Sequence, residues 1–332
     1  MKQYRVAVVG ALGAVGTEMI KTLEGRNFPI SEFVPLDAEM NVGKPVKFHG
    51  KEVLVKKAEQ SAFSGVDIAL FAVGAEVSVD LAPKAVKEGT VVIDNSSAWR
   101  MDPKVPLIIP EVNPDALKSH NGIIANPNCS TVQMLVVAKP IHDVFKIKRI
   151  VVSTYQAVSG TGLSAIDELV SQTKAFAAGQ PITNSVYPRQ ILFNALPHID
   201  DFLDTGYTKE EMKMIHETHK ILDPQIQVSP TAIRIPVFRG HSESLNIETE
   251  KPLSAEEVRA ILLKAKGVKV MDDPSKREYP TPLDADGNDD VYVGRIRQDS
   301  SVANGINMWV VADNIRKGAA LNAVQIAELF IK

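Results

Sequence analysis

Over the first third of the chain, apolar residues fall into short uninterrupted runs separated by stretches of helical spacing. Runs at 5–9, 68–73, 90–93 and 123–125 predict strands, and 32–36 reads as the second strand after the first helix. Between them, 15–23 and 79–88 carry apolar positions at helical intervals. Strands that are apolar throughout, rather than alternating, are buried on both faces, and this predicts a parallel sheet covered by helices.

Beyond residue 130 the pattern changes. A helix is expected over 130–145, with Pro140 able to kink or divide it. Longer β-like stretches follow at 149–155, 231–238, 244–248 and 307–311, with helices at 165–178 and 210–221. Few of these strands lead into a crossover helix, which predicts a mixed or antiparallel sheet. A last helix is expected over 319–331, apolar at Val324, Ala327 and Phe330.

Composition adds bounds. With 332 residues the chain exceeds one ordinary core and predicts two domains. A net charge of −3, with basic residues scattered, provides no electrostatic reason for a nucleic-acid or anionic-membrane partner. No stretch approaches the roughly 18 consecutive apolar residues of a membrane span, and the first residues lack a secretion signal's apolar region. One cysteine excludes an intrachain disulfide and fits a reducing compartment. A cytoplasmic location is expected.

The segment Gly10-Ala-Leu12-Gly13-Ala14-Val15-Gly16 follows a predicted strand and opens a predicted helix. Glycine at this spacing lets the backbone approach a pyrophosphate, which the helix N-terminus favours, so the loop predicts a dinucleotide site. In such folds the end of the second strand reads the adenosine ribose. Here it runs into Asp37-Ala-Glu39-Met40-Asn41, an acidic segment that favours NAD over NADP, with Lys44 near enough to reach a phosphate.

Cys129, in Asn126-Pro-Asn128-Cys129-Ser-Thr, lies between a short strand and the start of a helix. A helix N-terminus stabilises thiolate, which separates this cysteine from an inert buried one. A thiolate nucleophile in a chain with a dinucleotide loop points to addition to an activated acyl group, followed by hydride reduction of the thioester. Asp284-Ala-Asp-Gly-Asn-Asp-Asp290 hints at a calcium loop. Its glycine is misplaced and Arg295 stands at the twelfth position, so an exposed polar turn is expected and no metal site.

Four segments together resemble the aspartate-semialdehyde dehydrogenase family: the glycine loop, the cysteine segment, Ser153-Thr-Tyr-Gln156-Ala-Val-Ser159-Gly160, and Arg234-Ile-Pro-Val-Phe-Arg-Gly-His241-Ser. Supporting matches are Asp94-Asn-Ser-Ser-Ala-Trp-Arg100, Phe193-Asn-Ala-Leu-Pro-His198, Glu217-Thr-His-Lys220 and Asp313-Asn314, so the resemblance covers essentially the whole chain. It implies an α/β chain: a Rossmann-type dinucleotide-binding domain over 1–127, completed by 313–332, and an α+β catalytic and dimerisation domain over 128–312. It implies Cys129 as nucleophile, His241 as acid/base and Gln156 as the residue positioning the acyl group. Arg234 would fork onto the substrate carboxylate, Arg100, Lys220 and Asn128 would hold phosphate, and Glu217 would contact the substrate amine. Ser159, Gly160 and Asn314 would hold the nicotinamide end, with Gly10, Leu12, Gly13, Ala14, Val15, Gly16, Met40 and Asn41 on the rest of the dinucleotide.

The implied reaction is NADP(H)-dependent conversion of 4-phospho-aspartate to aspartate semialdehyde and phosphate, on the route to lysine, threonine and methionine. The implied assembly is a homodimer or a dimer of dimers. Two departures stand out. Leu12 replaces the family's usual threonine, and the acidic segment 37–41 replaces its NADP-reading serine and arginine. NAD is therefore expected to be accepted unusually well. The rival readings are another acyl-phosphate reductase, such as N-acetyl-glutamyl-phosphate reductase, and a non-catalytic dinucleotide-binding paralogue.

Overall fold

The computed structural model describes residues 2–331 and divides into two compact units, Met1–Asn128 with Ala319–Lys332, and Cys129–Gly318.

The first unit is built on β1 (Tyr4–Val9), α1 (Ala14–Gly25), β2 (Ile30–Asp37), the hairpin β3 (Pro45–Phe48) and β4 (Lys51–Leu54), β5 (Lys56–Lys57), β6 (Ile68–Phe71), α2 (Ala75–Lys87), β7 (Val91–Asp94) and β8 (Ile123–Ala125). Six strands form one parallel sheet in the order β5-β2-β1-β6-β7-β8. Strand order reverses at β1, and in such sheets ligands bind outside the strand ends at that switch point. Alternate residues of β1 serve opposite cores. Val6 and Val8 pack with Met19, Leu23, Ala323 and Val324, while Ala7 and Val9 pack with Phe63, Leu81 and Ala85. The closing helix (Leu321–Glu328) therefore belongs to this unit's core, and the Arg26–Glu328 pair at 2.6 Å ties it to the end of α1. It begins at Leu321, two residues later than expected, after a π-helical turn at Arg316–Ala320, and it ends at Glu328.

The second unit contains α3 (Cys129–Phe145), β9 (Ile147–Gln156), α4 (Leu163–Ala177), α5 (Lys209–Ile221), β10 (Gln227–Arg234), β11 (His241–Thr249), α6 (Ala255–Leu262), β12 (Val268–Val270), α7 (Pro282–Ala285), β13 (Val291–Asp299) and β14 (Gly305–Ala312). Its sheet, β10-β9-β11-β14-β13-β12, is mixed: β10 and β12 pair in parallel and the three inner junctions are antiparallel. The α5 helix starts in a capping box of Thr208 and Glu211. The Glu211 carboxylate also accepts from the Ala232 N–H at 2.9 Å, fastening the helix to the edge strand β10.

Several boundaries depart from the pattern reading. The expected strand 231–238 starts earlier, at Gln227, and stops at Arg234. Pro236 has no N–H for a ladder, and the chain instead turns so that the Val237 carbonyl receives the Val158 N–H at 2.8 Å. Helix α3 runs through Pro140 undivided. Strand β13 was not anticipated, because Gly294 and a bulge between Gly294 and Arg297 interrupt its alternation. In the acidic turn, Asp284 receives the Thr281 N–H at 2.8 Å and thereby starts α7.

Candidate active site

In the second unit, three chain segments deliver side chains to one end of the sheet. Gln156 ends β9, Arg234 ends β10 directly opposite it, and His241 opens β11. All three are buried. The backbone of one residue, Ala157, joins the last two: its N–H donates to His241 Nδ1 at 3.0 Å, and its carbonyl accepts from Arg234 Nη1 at 2.7 Å. The Gln156 amide donates to Thr154 Oγ1 at 3.3 Å and to Glu210 Oε1 at 3.2 Å, so its orientation is set from β9 and from α5.

The imidazole's state follows from these contacts. A backbone N–H can only donate, so Nδ1 is an acceptor and the neutral ring carries its proton on Nε2. Burial, and secondarily the Arg234 guanidinium, push the His241 pKa well below its ordinary value, so the ring is neutral. Nε2 is buried with no hydrogen-bond partner among the described residues. A donor held dry in this way is ready for an oxygen that a substrate would bring.

Gly160 leaves the room beside it. A Cβ there would stand 2.9 Å from Arg234 Nη1 and 3.3 Å from His241 Nε2. The neighbouring Ser159 is bonded to Asn314, whose Nδ2 donates to Ser159 Oγ at 3.0 Å and whose Oδ1 receives the Gly240 N–H at 2.9 Å. Asn314 thus braces both the Ser159–Gly160 turn and the approach to His241.

Cys129 is the first residue of α3 and is half-buried. One turn on, the Gln133 amide donates weakly, at 3.4 Å, to the carbonyl of His241, linking the cysteine's helix to the histidine's strand. Behind the cysteine, a Cβ on Gly318 would come 2.7 Å from Cys129 Cβ. Glu217 is buried on α5, the helix that packs on β10, and Lys220 is half-buried one turn along it.

The first unit carries the loop between β1 and α1. Gly10 has φ +82°, and a Cβ on Gly16 would run into the Gly10 carbonyl. The cradle therefore requires glycine at both positions. Helix α1 starts after Gly13 with no side-chain cap, which leaves its first N–H groups to a ligand. The Leu12 N–H is already used, donating to Asp37 Oδ2 at 3.0 Å. Asn128 and Arg100 are buried in this unit, and Arg100 Nη2 donates to the Asn95 carbonyl at 2.9 Å. Met40 is exposed in a short turn after β2.

Residues 5–120 match the family model described as semialdehyde dehydrogenase, NAD binding domain, and residues 138–317 match semialdehyde dehydrogenase, dimerisation domain. The chain is 58% identical to the aspartate-semialdehyde dehydrogenase of Aquifex aeolicus (strain VF5), covering 99% of this chain and 98% of that protein. The chain belongs to the aspartate-semialdehyde dehydrogenase family. Among solved structures, aspartate semialdehyde dehydrogenase II of Vibrio cholerae complexed with ASA superposes with a TM-score of 0.97 at 50% identity, over 100% of this chain and 99% of that one. The Candida albicans enzyme with NADP superposes at 0.77 with 25% identity, over 99% of each chain.

For a member of this family the cradle fits the dinucleotide phosphates, and the first unit is an NAD(P)-binding domain. Among the described residues, no helix is long and apolar enough to cross a membrane. The structure brings Gln156, Ser159, Gly160, Arg234, His241 and Asn314 into one bonded cluster. Residue reading missed the groups that hold it: Thr154, Ala157, Glu210, Gln133 and Gly318. Glycine so close to the cysteine, and an acid on the amide of Gln156, are relations between distant segments with no local signal.

Proposed function

We propose that this chain is an NAD(P)-dependent phosphorylating aldehyde dehydrogenase that converts 4-phospho-aspartate to aspartate 4-semialdehyde through a thioester on Cys129. Membership of a family whose relatives bear that activity as their name is the observation that carries the reading. The bonded cluster around His241 supports it.

Chemically, the Cys129 thiolate adds to the acyl-phosphate carbon and the C–O bond to phosphate breaks, leaving the thioester. The positive end of α3 favours the thiolate. The Nε2–H of His241 donates to the carbonyl oxygen as it gains negative charge, at the thioester-forming stage and again at the thiohemiacetal. In its resting tautomer the imidazole is a donor, so oxygen stabilisation suits it better than taking the thiol proton. Hydride addition to the thioester leaves a thiohemiacetal oxyanion held by the same Nε2–H. Its collapse re-forms the carbonyl, breaks the C–S bond and releases the aldehyde and the Cys129 thiolate, with no proton passed to the ring. Gln156 orients the acyl group, Arg234 pairs with the substrate carboxylate as a planar fork, and Glu217 takes the amine. Arg100, Lys220 and Asn128 bind the phosphate. A nicotinamide held by Ser159, Gly160 and Asn314, with its phosphates on residues 10–16, supplies the hydride when bound. We take the working form to be a cytoplasmic homodimer formed through the second unit.

The deciding experiment follows phosphate-dependent reduction of NAD and NADP with aspartate semialdehyde, for wild type and Cys129→Ser. Wild-type turnover that is lost in the variant upholds the reading. Turnover with N-acetyl-glutamate semialdehyde instead would transfer the chain to the rival reductase.

A further inference from the structure

The acidic segment after β2 is bonded in a way that decides its chemistry. Asp37 is the last residue of β2, the strand beside β1, where the order of the parallel sheet reverses. Its Oδ2 receives the Leu12 N–H from the glycine loop at 3.0 Å. Its Oδ1 receives the Ala38 N–H at 2.8 Å and the Asn41 amide at 2.9 Å. Three of about four acceptor positions on an ionised carboxylate are thus filled. The side chain is half-buried, so the position left over is open to one further donor.

These bonds fix the carboxylate in place. It clamps the loop that cradles the pyrophosphate, and it cannot swing aside without releasing Leu12 and the Glu39–Asn41 turn together. Two of the nearby cations are engaged as well. Lys57 pairs with Glu39 at 2.6 Å. Lys44 Nζ donates to Asn41 Oδ1 at 2.6 Å, and Asn41 donates in turn to Asp37. Neither lysine is aimed outward as a free phosphate anchor.

We infer that Asp37 makes this chain selective for NAD over NADP, by accepting the ribose 2′-hydroxyl at its open position and repelling a 2′-phosphate there. A hydroxyl has the proton that the carboxylate lacks. A phosphate brings two negative charges and no proton to a carboxylate that cannot retreat, with Glu39 close behind it in sequence. The inference rests on the first unit binding a dinucleotide and does not depend on the identity of the acyl substrate.

Calorimetric titration of the full chain with NAD+ and with NADP+, in the absence of substrate, tests it. The expected result is binding of NAD+ tighter by roughly tenfold or more at low ionic strength, with the gap shrinking as salt is added. Asp37→Ser should weaken NAD+ and bring the two affinities together. If that variant loosens the loop and weakens both ligands alike, Glu39→Arg decides, because it leaves every Asp37 bond in place and should shift the ratio toward NADP+. Equal or tighter NADP+ binding by wild type overturns the inference, as does a ratio unmoved in both variants. Because binding is read without turnover, a chain inactive on aspartate semialdehyde but selective for NAD+ would sink the proposed reaction and leave this inference standing.

Discussion

The N–H of Ala157 donates to Nδ1 of His241, and through that single bond the backbone determines which nitrogen of the ring faces the site. The ring is neutral because burial and the Arg234 charge hold its pKa well below the ordinary value. A depressed pKa means that its contribution to stability is present above about pH 6.5 and is lost as pH falls through the folded value. The same shift sets the kinetics. The profile of kcat/KM against pH should show no acid limb from His241 near about pH 6.5. His241→Gln, which can present an amide N–H near the Nε2 position, should retain more activity than His241→Ala. An acid limb at the ordinary histidine pKa, missing in the glutamine variant, would show that the ring titrates freely and that the donor assignment is wrong.

Gly160 lies at a normal backbone conformation, so its requirement is steric. Gly160→Ala places a methyl against Arg234 and His241, both of which are already held by the backbone of Ala157. We expect kcat/KM to fall by about 100-fold, from displacement of the reacting groups by a fraction of an ångström to an ångström. Thermal unfolding should change little by comparison. A variant with near wild-type kinetics would place the functional geometry elsewhere.

How much of this was legible in the chain depends on distance along it. The strand–glycine–helix start is a local pattern, and so is a cysteine at a helix start. Both were visible because the physics that produces them acts over a few residues. Gln156 and Arg234 looked like ordinary polar ends of strands, and the family resemblance picked them out. Their partnership arises from the β9–β10 register, with Leu196 bridging to Arg234 through backbone bonds of 2.8 and 2.9 Å. Strand 231–238 was overextended because the apolar pattern continues past Pro236, while hydrogen bonding does not. Asp37 was read by charge alone, and its clamp on Leu12 needed the fold.

Arg234 separates charge from shape. Its Nη1 is committed to the Ala157 carbonyl, and in the proposed reaction the rest of the planar fork would meet the substrate carboxylate. Arg234→Lys preserves the charge but cannot serve both partners. KM for aspartate semialdehyde should rise by roughly 10- to 100-fold, the loss of one or two charge-assisted hydrogen bonds. A KM within twofold of wild type would show that charge is sufficient and that the fork plays no part.

Two residues along β11 from His241, Glu243 is fully buried on the same face, with the Gln133 amide beside it. Burial raises its pKa well above the ordinary value, opposed in part by the Gln133 amide. The fold therefore favours the protonated carboxyl. Below about pH 4.3 it is neutral in both folded and unfolded chains and has no effect on the balance. Above that, the unfolded chain releases a proton that the fold retains, so stability declines by about 1.4 kcal/mol per pH unit until the folded pKa is reached. Glu243→Gln keeps the shape and removes the titration. Denaturant unfolding of both proteins over a pH series upward from 4.5 should show the variant gaining on wild type as pH rises. Parallel curves over that range would mean that Glu243 is already ionised in the fold, with a counter-charge or water reaching it between β11 and α3.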